Sequence, residues 1–248
     1  MGPESEPPVG PDGRAGPHVF VSDLDAPVPE ADDRHHLERV LRLRRGDPLT
    51  VSDGAGRWRP CRWGDELEPV GEVVEVPRPA MPVAVGFVPV KGDRPEWVVQ
   101  KCTELGVDRL VVLSSERSVV RWEGDRAARH LERLAKVARE AAMQSRRCHL
   151  PQIDGVFPLG EVSGEEGIVR AEAGGRRPER GDRLVVVGPE GGWTDVERGL
   201  VPTAVGLADH VLRAETAAIT ATVLYTALRA GRVAGDSPMV NDSDAQGD

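Results

Sequence analysis

Cysteine is scarce in this sequence. Three cysteines occur in 248 residues, at Cys61, Cys102 and Cys148, and no two of them form a CxxC pair. An odd number of widely spaced cysteines favours neither a disulfide framework nor a thiolate metal site. The histidines show no ligand spacing with cysteines or acids either. We therefore expect a reducing, cytoplasmic environment and no bound metal.

Long apolar runs are also missing. No stretch approaches the roughly 20 residues that cross a bilayer, and the first sixteen residues lack the basic and apolar regions of a signal peptide. We expect neither export nor a membrane span. The hydrophobic content of 39% can still supply a core for one large domain or two small ones.

A positive total charge is absent as well, since the net charge is −9. This argues at first against a nucleic-acid partner, because neutralising phosphates requires Lys and Arg. Two segments differ from the average. Residues 34–62 carry eight arginines against three acids, and residues 126–147 carry seven basic residues against two acids, so each is locally +5. These segments are either phosphate-binding surfaces or ordinary solvated surface.

The pattern along the chain predicts two folded units. We expect disorder at residues 1–16, a small β-rich domain at 17–76 with an Asp53-Gly54 turn, and a proline-rich linker at 77–82. Strand and helix patterns then alternate over residues 83–232, which favours an α/β domain with a mostly parallel sheet covered by helices on both faces. An acidic tail at 233–248 has a composition typical of disorder.

A long helix is predicted near residues 125–145. Ala127, Leu131, Leu134, Ala138 and Ala141 form its apolar stripe. A second face carries basic residues at helical spacing, and we expect it either to meet phosphates or to remain solvated. Those residues are Arg126, Arg129, Arg133 and Lys136.

The stretch "RLVVVGPEGGWTDVERGL" at residues 183–200 predicts a strand, a tight loop and a helix. Thr194 and Glu197 have the spacing of a capping box. No GxxxxGK[ST] or GxGxxG motif is present, and Glu190 would oppose an anion, so a phosphate ligand is disfavoured. What remains is a ligand with hydroxyls, amines or positive charge, such as the adenosine and sulfonium of S-adenosylmethionine. The alternative is a plain turn whose glycines serve only backbone geometry.

The stretch "HVLRAETAAITATVLYTAL" at residues 210–228 predicts a short strand at Val211-Leu212 and then a helix from about Ala214 to Ala230. The helix is apolar on nearly all faces, so we expect it to be buried in a core or in a subunit interface. Arg213 and Glu215 at its start are charged exceptions. They form either a paired helix cap or part of a site.

These two stretches together resemble the paired signature of the SPOUT class of methyltransferases, and specifically the ribosomal RNA small subunit methyltransferase E family. Upstream, "VKGDRPEWVVQKCTELGVDRLVVLSSERSVV", "KVAREAAMQSRR" and "HHLERVLRLRRGDPLTVSDGAG" are similar to further segments of that family, in family order. The resemblance covers nearly everything from His18 to Arg229. Four positions depart from the family pattern, which puts RNA contact and full activity in question: His18, Met143, Ala208 and His210.

The resemblance implies S-adenosylmethionine-dependent methylation of uridine N3 in 16S ribosomal RNA or the small ribosomal subunit. It also implies a homodimer, a trefoil-knotted SPOUT domain and a PUA-like N-terminal RNA-binding domain. The alternatives are methylation of another base or a ribose, or a non-catalytic RNA-binding protein of the same fold. The cofactor residues carried over are Val187, Gly188, Pro189, Glu190, Gly191, Gly192, Leu207, Val211, Leu212, Arg213, Thr216 and Ala217.

The chemistry of uridine N3, the target that the resemblance implies, indicates candidate catalytic residues, and the basic residues indicate candidate RNA contacts. We expect Arg213 to steady the anionic pyrimidine, Glu215 to hold the Arg213 guanidinium, and Glu190 to offset the sulfonium charge or to act as a base. The residues expected to contact RNA are His18, Arg34, His36, Arg39, Arg42, Arg44, Arg45, Arg117 and Arg146.

Overall fold

The computed structural model of the protein describes residues 10–233, which contain two sheets. The first sheet consists of β1 (His18–Phe20), β2 (Pro48–Ser52), β3 (Arg57–Arg62), β4 (Glu68–Pro69) and β5 (Val74–Glu75). Its order is β1-β2-β3-β4, and β5 pairs with β3. β1 runs parallel to β2, and the other pairs are antiparallel. Between β1 and β2 lie helix α1 (Ala31–His35) and a π-helical turn (His36–Val40).

The second sheet has six strands, all parallel, in the order β11-β9-β10-β6-β7-β8. They are β6 (Ala84–Phe87), β7 (Arg109–Ser114), β8 (Gln152–Pro158), β9 (Ile168–Arg176), β10 (Leu184–Val187) and β11 (Ala204–Val205). The helices of this unit are α2 (Arg94–Glu104), α3 (Gly124–Gln144), α4 (Leu159–Val162), α5 (Asp195–Leu200) and α6 (Ala214–Arg229). The predicted α/β class with a mostly parallel sheet is confirmed.

Helices cover both faces of the second sheet, as the alternation of side chains along each strand requires. In β10, Val185 and Val187 pack with α2, α3 and α6 in one core. Leu184 and Val186 point the other way, into a second core that includes Leu159 of α4 and Val201 after α5. The central strands are therefore apolar throughout, which is typical of a parallel sheet buried on both faces.

Two short strands differ from the sequence prediction. Val211-Leu212 is not a strand: these residues lie in an irregular segment, and Val211 is 89% exposed. The two-residue strand β11 lies upstream instead, where Ala204 and Val205 pair with β9. An apolar dipeptide forms a strand only where a neighbouring strand can accept its hydrogen bonds. β8, which the sequence pattern did not indicate, contains Asp154, Gly155 and Pro158 and is only partly buried.

The first unit packs on the C-terminal part of α3 and on the segment that follows it. The Arg139 guanidinium donates to both oxygens of buried Asp33, at 3.1 and 2.6 Å. The Gly56 N–H donates to the Cys148 carbonyl, and the Leu150 N–H donates to the Gly54 carbonyl. These bonds join chain segments that are far apart in sequence, so the two units share a continuous contact.

The N-terminal segment contributes to the same contact. Residues 10–16 lie within the region predicted to be disordered, yet Pro11 is buried and Arg146 donates to the carbonyls of Gly13 and Gly16. The predicted disorder therefore does not extend to these residues. The remaining residues of that prediction, 1–9, and the tail from 234 onward lie outside the described residues. The domain boundaries themselves stay predictions.

Helix α3 has the predicted apolar stripe, with Leu134, Ala138 and Ala141 buried. Its basic face is less open than expected. Arg133 pairs with Glu96 at 2.9 Å, and Lys136 pairs with Asp32 at 3.5 Å. Only part of this face is therefore available to phosphates.

Candidate active site

The loop of residues 188–192 lies at the carboxyl end of β10, where ligands of parallel α/β sheets usually bind. A Cβ added to Gly188 would lie 2.9 Å from Cε2 of Trp193, so residue 188 can carry no side chain while the indole occupies this position. Trp193 is buried, and its Nε1 has no hydrogen-bond partner within residues 10–233. The loop therefore presents bare backbone above a buried aromatic ring.

The predicted capping box starts the next helix. Thr194 accepts a hydrogen bond from the Glu197 N–H, and Glu197 Oε2 accepts one from the Thr194 N–H at 2.8 Å. The other oxygen, Oε1, accepts the N–H of Glu116 at 3.1 Å. Burial favours the neutral carboxyl, but these hydrogen bonds outweigh it and lower the pKa of Glu197. The charged carboxylate thus joins α5 to the loop that follows β7.

The loop after β7 also supports the glycine loop through Arg117. Its Nη1 donates to the carbonyls of Gly191 and Trp193, at 3.2 and 3.3 Å. The position of a Cβ on Gly191 points toward Arg117 rather than into the cleft. Arg117, predicted to bind RNA, therefore holds the loop in this structure.

Arg94, the first residue of α2, reaches the two acidic residues of the candidate site. Its Nη1 lies 2.9 Å from Glu190 Oε1, and its Nε lies 3.7 Å from Glu215 Oε1. Glu215 was predicted to hold Arg213, and that pairing is wrong. Arg213 is the exposed N-cap of α6 with extended backbone, whereas the Glu215 side chain is buried against α2. The sequence prediction missed Arg94.

A cleft of about 380 Å³ opens between the glycine loop and the segment that leads into α6. The predicted cofactor residues that line it are Val187, Gly188, Pro189, Glu190, Gly192, Leu207, Val211, Leu212, Arg213 and Ala217. Gly191 and Thr216 do not line it. Ala208 and His210, two of the departures from the family pattern, do.

A third wall of the cleft, formed by β9 and α5, was not predicted. It consists of Ala171, Glu172 and Ala173 from β9, with Arg198 from α5. Burial favours the neutral form of Glu172, but hydrogen bonds from Arg170 and Arg198, at 2.9 and 3.0 Å, outweigh it and lower the pKa of Glu172. No pattern in the sequence of β9, which also contains Arg170 and Arg176, singled out Glu172.

The cleft therefore combines negative and positive groups. Glu172 and Glu190 are carboxylates on opposite walls, and each is paired with arginine. The Arg213 side chain, by contrast, makes no hydrogen bond or ion pair with any described residue. Such a cleft suits a ligand that carries a cation and hydroxyls. It also leaves the guanidinium of Arg213 free to bind an electron-rich group beside that ligand.

His18, predicted to contact RNA, is buried, and that prediction is wrong in this structure. Its Nδ1 lies 2.8 Å from Thr50 Oγ1, and its ring meets Phe20 edge to face. Burial lowers the pKa of His18 to about 4, with a further lowering from Arg146, against a hydrogen bond involving the Arg147 backbone that raises it. A neutral ring inside the first unit cannot neutralise phosphate.

The other predicted RNA residues fall into two groups. Arg39, Arg42, Arg44 and His36 are exposed, and their side chains make no ion pair in the described part of the chain. The rest have partners: Arg34 pairs with Glu38 and lies over the Trp63 ring, Arg45 pairs with Asp65, and Arg146 donates to backbone carbonyls. The first group lies within residues 36–44, and its side chains are open to solvent.

No three His, Cys, Asp or Glu side chains among residues 10–233 are placed to hold a metal ion. Within the same residues, no helix is both long enough and apolar enough to cross a membrane.

Comparison with known proteins places this geometry in a family. A family model described as an RNA methyltransferase domain matches residues 77–226. Ribosomal RNA small subunit methyltransferase E of Mycobacterium bovis is 32% identical over 219 residues, covering 78% of this chain and 83% of the relative. The Bacillus subtilis protein of the same name is 30% identical over 227 residues, covering 77% and 85%.

A solved structure is similar as well. The Neisseria gonorrhoeae ribosomal RNA small subunit methyltransferase E bound to S-adenosyl methionine matches with a TM-score of 0.70 and 26% identity, over 86% of this chain and 97% of that one. Sequence and fold therefore agree: the chain belongs to the ribosomal RNA small subunit methyltransferase E family.

Proposed function

We propose that this protein transfers a methyl group from S-adenosylmethionine to N3 of a uridine in the 16S ribosomal RNA of the small subunit. The observation that carries the proposal is the cleft: bare glycine backbone, two arginine-paired carboxylates and one unpaired guanidinium meet at the carboxyl end of β10. The names of the relatives and the cofactor in the Neisseria structure support it.

The cleft fits the proposed cofactor in size and chemistry. Its volume of about 380 Å³ lies within the range of small-molecule sites. The backbone of Gly188, Pro189 and Gly192 admits a close planar ligand, and Leu207 and Leu212 supply apolar walls. Glu190 and Glu215 share the single guanidinium of Arg94, so this side of the cleft offers negative charge to a cationic group, whereas Glu172 is held between Arg170 and Arg198. When bound, S-adenosylmethionine supplies a methyl group on a positively charged sulfur.

Arg213 is the proposed catalytic residue. Uridine N3 carries a proton and a delocalised lone pair, so attack requires that the proton pass to solvent and that the resulting anion be stabilised. The anion then takes the methyl group as the sulfur–methyl bond breaks, and S-adenosylhomocysteine leaves as a neutral thioether. A guanidinium without a protein partner can donate two parallel hydrogen bonds to the oxygens of the pyrimidine. Glu190 already accepts from Arg94, so we assign it to balancing charge in the cleft rather than to removing the proton.

RNA binding is proposed for the first unit, in agreement with its exposed Arg39, Arg42 and Arg44. A PUA-like identity for this unit, a trefoil knot in the chain after Leu184, a homodimer and a cytoplasmic location belong to the same proposal, on the strength of family membership. Trp97, Val211 and Val223 are exposed apolar side chains that a second subunit could cover. Analytical ultracentrifugation tests the dimer.

Mass mapping of 16S ribosomal RNA from cells with and without this gene tests the reaction. We expect one methylated uridine to disappear with the gene and to return when the purified protein, S-adenosylmethionine and small subunits are mixed. A mark lost from a ribose or from another base would replace the N3 assignment with that target. A map unchanged by the deletion would end the proposal.

Arg213→Lys separates binding from chemistry. We expect cofactor and RNA affinity to be kept and the single-turnover rate to fall on the order of 10²- to 10³-fold, because an ammonium cannot reproduce the planar two-pronged contact. Near-normal turnover in a folded Arg213→Lys protein would contradict the catalytic assignment.

A further inference from the structure

Arg94 connects two parts of the cleft that are distant in sequence. Glu190 belongs to the loop after β10. Glu215 belongs to the first turn of α6, and the segment that leads into α6 lines the cleft across from this loop. Arg94 contacts both carboxylates from a third element, the start of α2. The loop and α6 are thereby joined through one guanidinium.

The two ends of this connection differ in burial. The Glu215 side chain is 9% exposed, whereas that of Glu190 is 59% exposed. A buried carboxylate requires a nearby cation, because ionised groups are costly to remove from water. Glu215 Oε2 has no hydrogen-bond partner among the described residues, which leaves Arg94 as the cation close to this group. Arg94 is therefore held beside the buried charge of Glu215, with its Nε 3.7 Å from Oε1, and its Nη1 donates a hydrogen bond of 2.9 Å to the exposed Glu190.

This arrangement sets the position of Glu190. Two carboxylates and one guanidinium sum to −1 beside the cleft. Without Arg94 the two carboxylates would repel each other, and Glu190 would be free to leave the cleft rim for bulk water. A carboxylate that must face a cationic ligand binds it better when its orientation is set in advance.

We infer that Arg94 is a positioning residue: anchored by Glu215, it holds Glu190 in the orientation that binds the cationic end of the cofactor. The inference rests on the proposed function only for the identity of that cofactor. A purely structural role is the alternative, in which Arg94 stabilises the contact between α2 and α6 and has no effect on the ligand.

A double-mutant cycle measured by S-adenosylmethionine binding distinguishes these roles. We expect Arg94→Gln and Glu190→Gln each to weaken calorimetric affinity about tenfold, and the double variant to be no weaker than either single one, since both changes remove the same contact. Glu215→Gln should reproduce the effect of Arg94→Gln, because it releases the anchor. Multiplying losses in the double variant would overturn the inference.

Lys101→Gln is the matched control. Lys101 lies on the same helix and forms an ion pair of the same 2.9 Å length with Glu104, away from the cleft. We expect its cofactor affinity to equal that of the wild type. Equal weakening by Lys101→Gln and Arg94→Gln would mean that any ion pair on α2 matters equally, which contradicts a specific role for Arg94.

Thermal melting without ligand provides the second readout, and Arg94→Lys provides the conservative variant. A positioning role predicts that Arg94→Lys recovers only part of the affinity, because a single ammonium cannot contact both carboxylates as a guanidinium does. A structural role predicts a lowered melting temperature with unchanged affinity below it, and this outcome would overturn the inference.

None of these measurements uses RNA. In one outcome, wild-type protein binds S-adenosylmethionine and the double variant binds no more weakly than either single variant, but RNA mapping shows no methylation. The proposed reaction then fails and the inference about Arg94 stands. If mapping shows the methylation and the losses of affinity in the two single variants multiply in the double variant, the reaction stands and the inference about Arg94 fails. A wild-type protein that does not bind S-adenosylmethionine would overturn both.

Discussion

Two basic segments of equal local charge have different roles in this molecule. In residues 34–62, the ion pairs are made within the first unit: Arg57 with Asp53, Arg59 with Asp25 and Arg45 with Asp65. In residues 126–147, the partners come from other elements. Arg139 contacts Asp33 of α1, and Arg133 contacts Glu96 of α2. The first segment leaves cations exposed, and the second joins the units.

The difference shows that local charge in a sequence does not measure charge available to a ligand. A helix places successive basic residues on different faces, and one that is packed on two neighbours turns several of them toward acids of those neighbours. The exposed arginines of the first segment, Arg39, Arg42 and Arg44, lie in the π-helical turn and in the loop before β2, where no acid pairs with them among residues 10–233.

The largest expected effect comes from removing the ion pair between Arg139 and Asp33, which joins the two units. We expect Arg139→Met to lower the free energy of unfolding by about 3 to 5 kcal/mol, because it leaves buried Asp33 without its bidentate partner. Urea unfolding measures it. Arg129→Met, an exposed change on the same helix, is the control and should change little. A loss in Arg139→Met as small as in the control would remove the contrast between the two segments.

The next effect concerns His18, which lies near Arg146 where the units meet. Its pKa is about 4 in the folded protein, against 6.5 ordinarily, because burial disfavours the charged ring. Between pH 4 and pH 6.5 the unfolded chain binds more protons at His18 than the folded protein does. The contribution of neutral His18 to the free energy of unfolding is therefore complete above pH 6.5 and is lost as the pH falls toward 4. The expected loss is about 3 kcal/mol.

The difference between wild type and His18→Asn isolates this titration. Asn can keep a hydrogen bond to Thr50 and does not titrate. Urea unfolding at pH 7 and pH 4.5 should show the wild type losing more stability than the variant. Parallel losses in the two proteins would show that His18 is accessible to protons in the fold, and would reopen its assignment to RNA contact.

A smaller effect is expected on RNA affinity. Arg39→Gln with Arg44→Gln removes two exposed cations of the first segment, and Arg133→Gln with Lys136→Gln removes two paired cations of the second. We expect the first double variant to bind a 16S ribosomal RNA fragment about tenfold more weakly and to flatten the logarithmic salt slope by about 1.4, at roughly 0.7 per single-strand contact. The second should change the slope less. Equal slopes in both variants would show that paired and free cations contribute alike.

The smallest effect should come from Arg45→Gln. Arg45 and Asp65 lie 3.3 Å apart, but their side chains are 83% and 96% exposed, so solvent and salt screen the pair. We expect the unfolding midpoint in urea to remain that of the wild type. A clear shift would mean that an exposed ion pair of the first segment stabilises the fold as the Arg139–Asp33 pair does.

The elements that the sequence predicted have apolar patterns that extend over a full element. β10, α3 and α6 are such elements, and each lies close to its expected bounds. β8 and β11 were missed because pairing with a neighbour, rather than their own residues, makes them strands. Composition predicts disorder at residues 10–16, whereas Arg146, far away in sequence, donates hydrogen bonds to the carbonyls of Gly13 and Gly16.

The candidate site divides in the same way. The glycine loop and its capping box are local, so ten of the twelve carried-over cofactor residues line the cleft. The partners of charged groups are not local. Glu215 was assigned to Arg213, two residues away, because sequence proximity was the available guide, and its actual partner, Arg94, lies more than a hundred residues upstream. Likewise, nothing local indicated that His18 is enclosed.

The contact between Gly188 and Trp193 has an evolutionary consequence. A methyl group at 188 would overlap the indole, and a smaller residue at 193 would leave a void beneath the loop. Neither position can therefore change freely while the other stays as it is. In descendants of this sequence, a side chain at 188 should be found only together with a reduced one at 193, so that the two positions drift as a pair even though neither is charged.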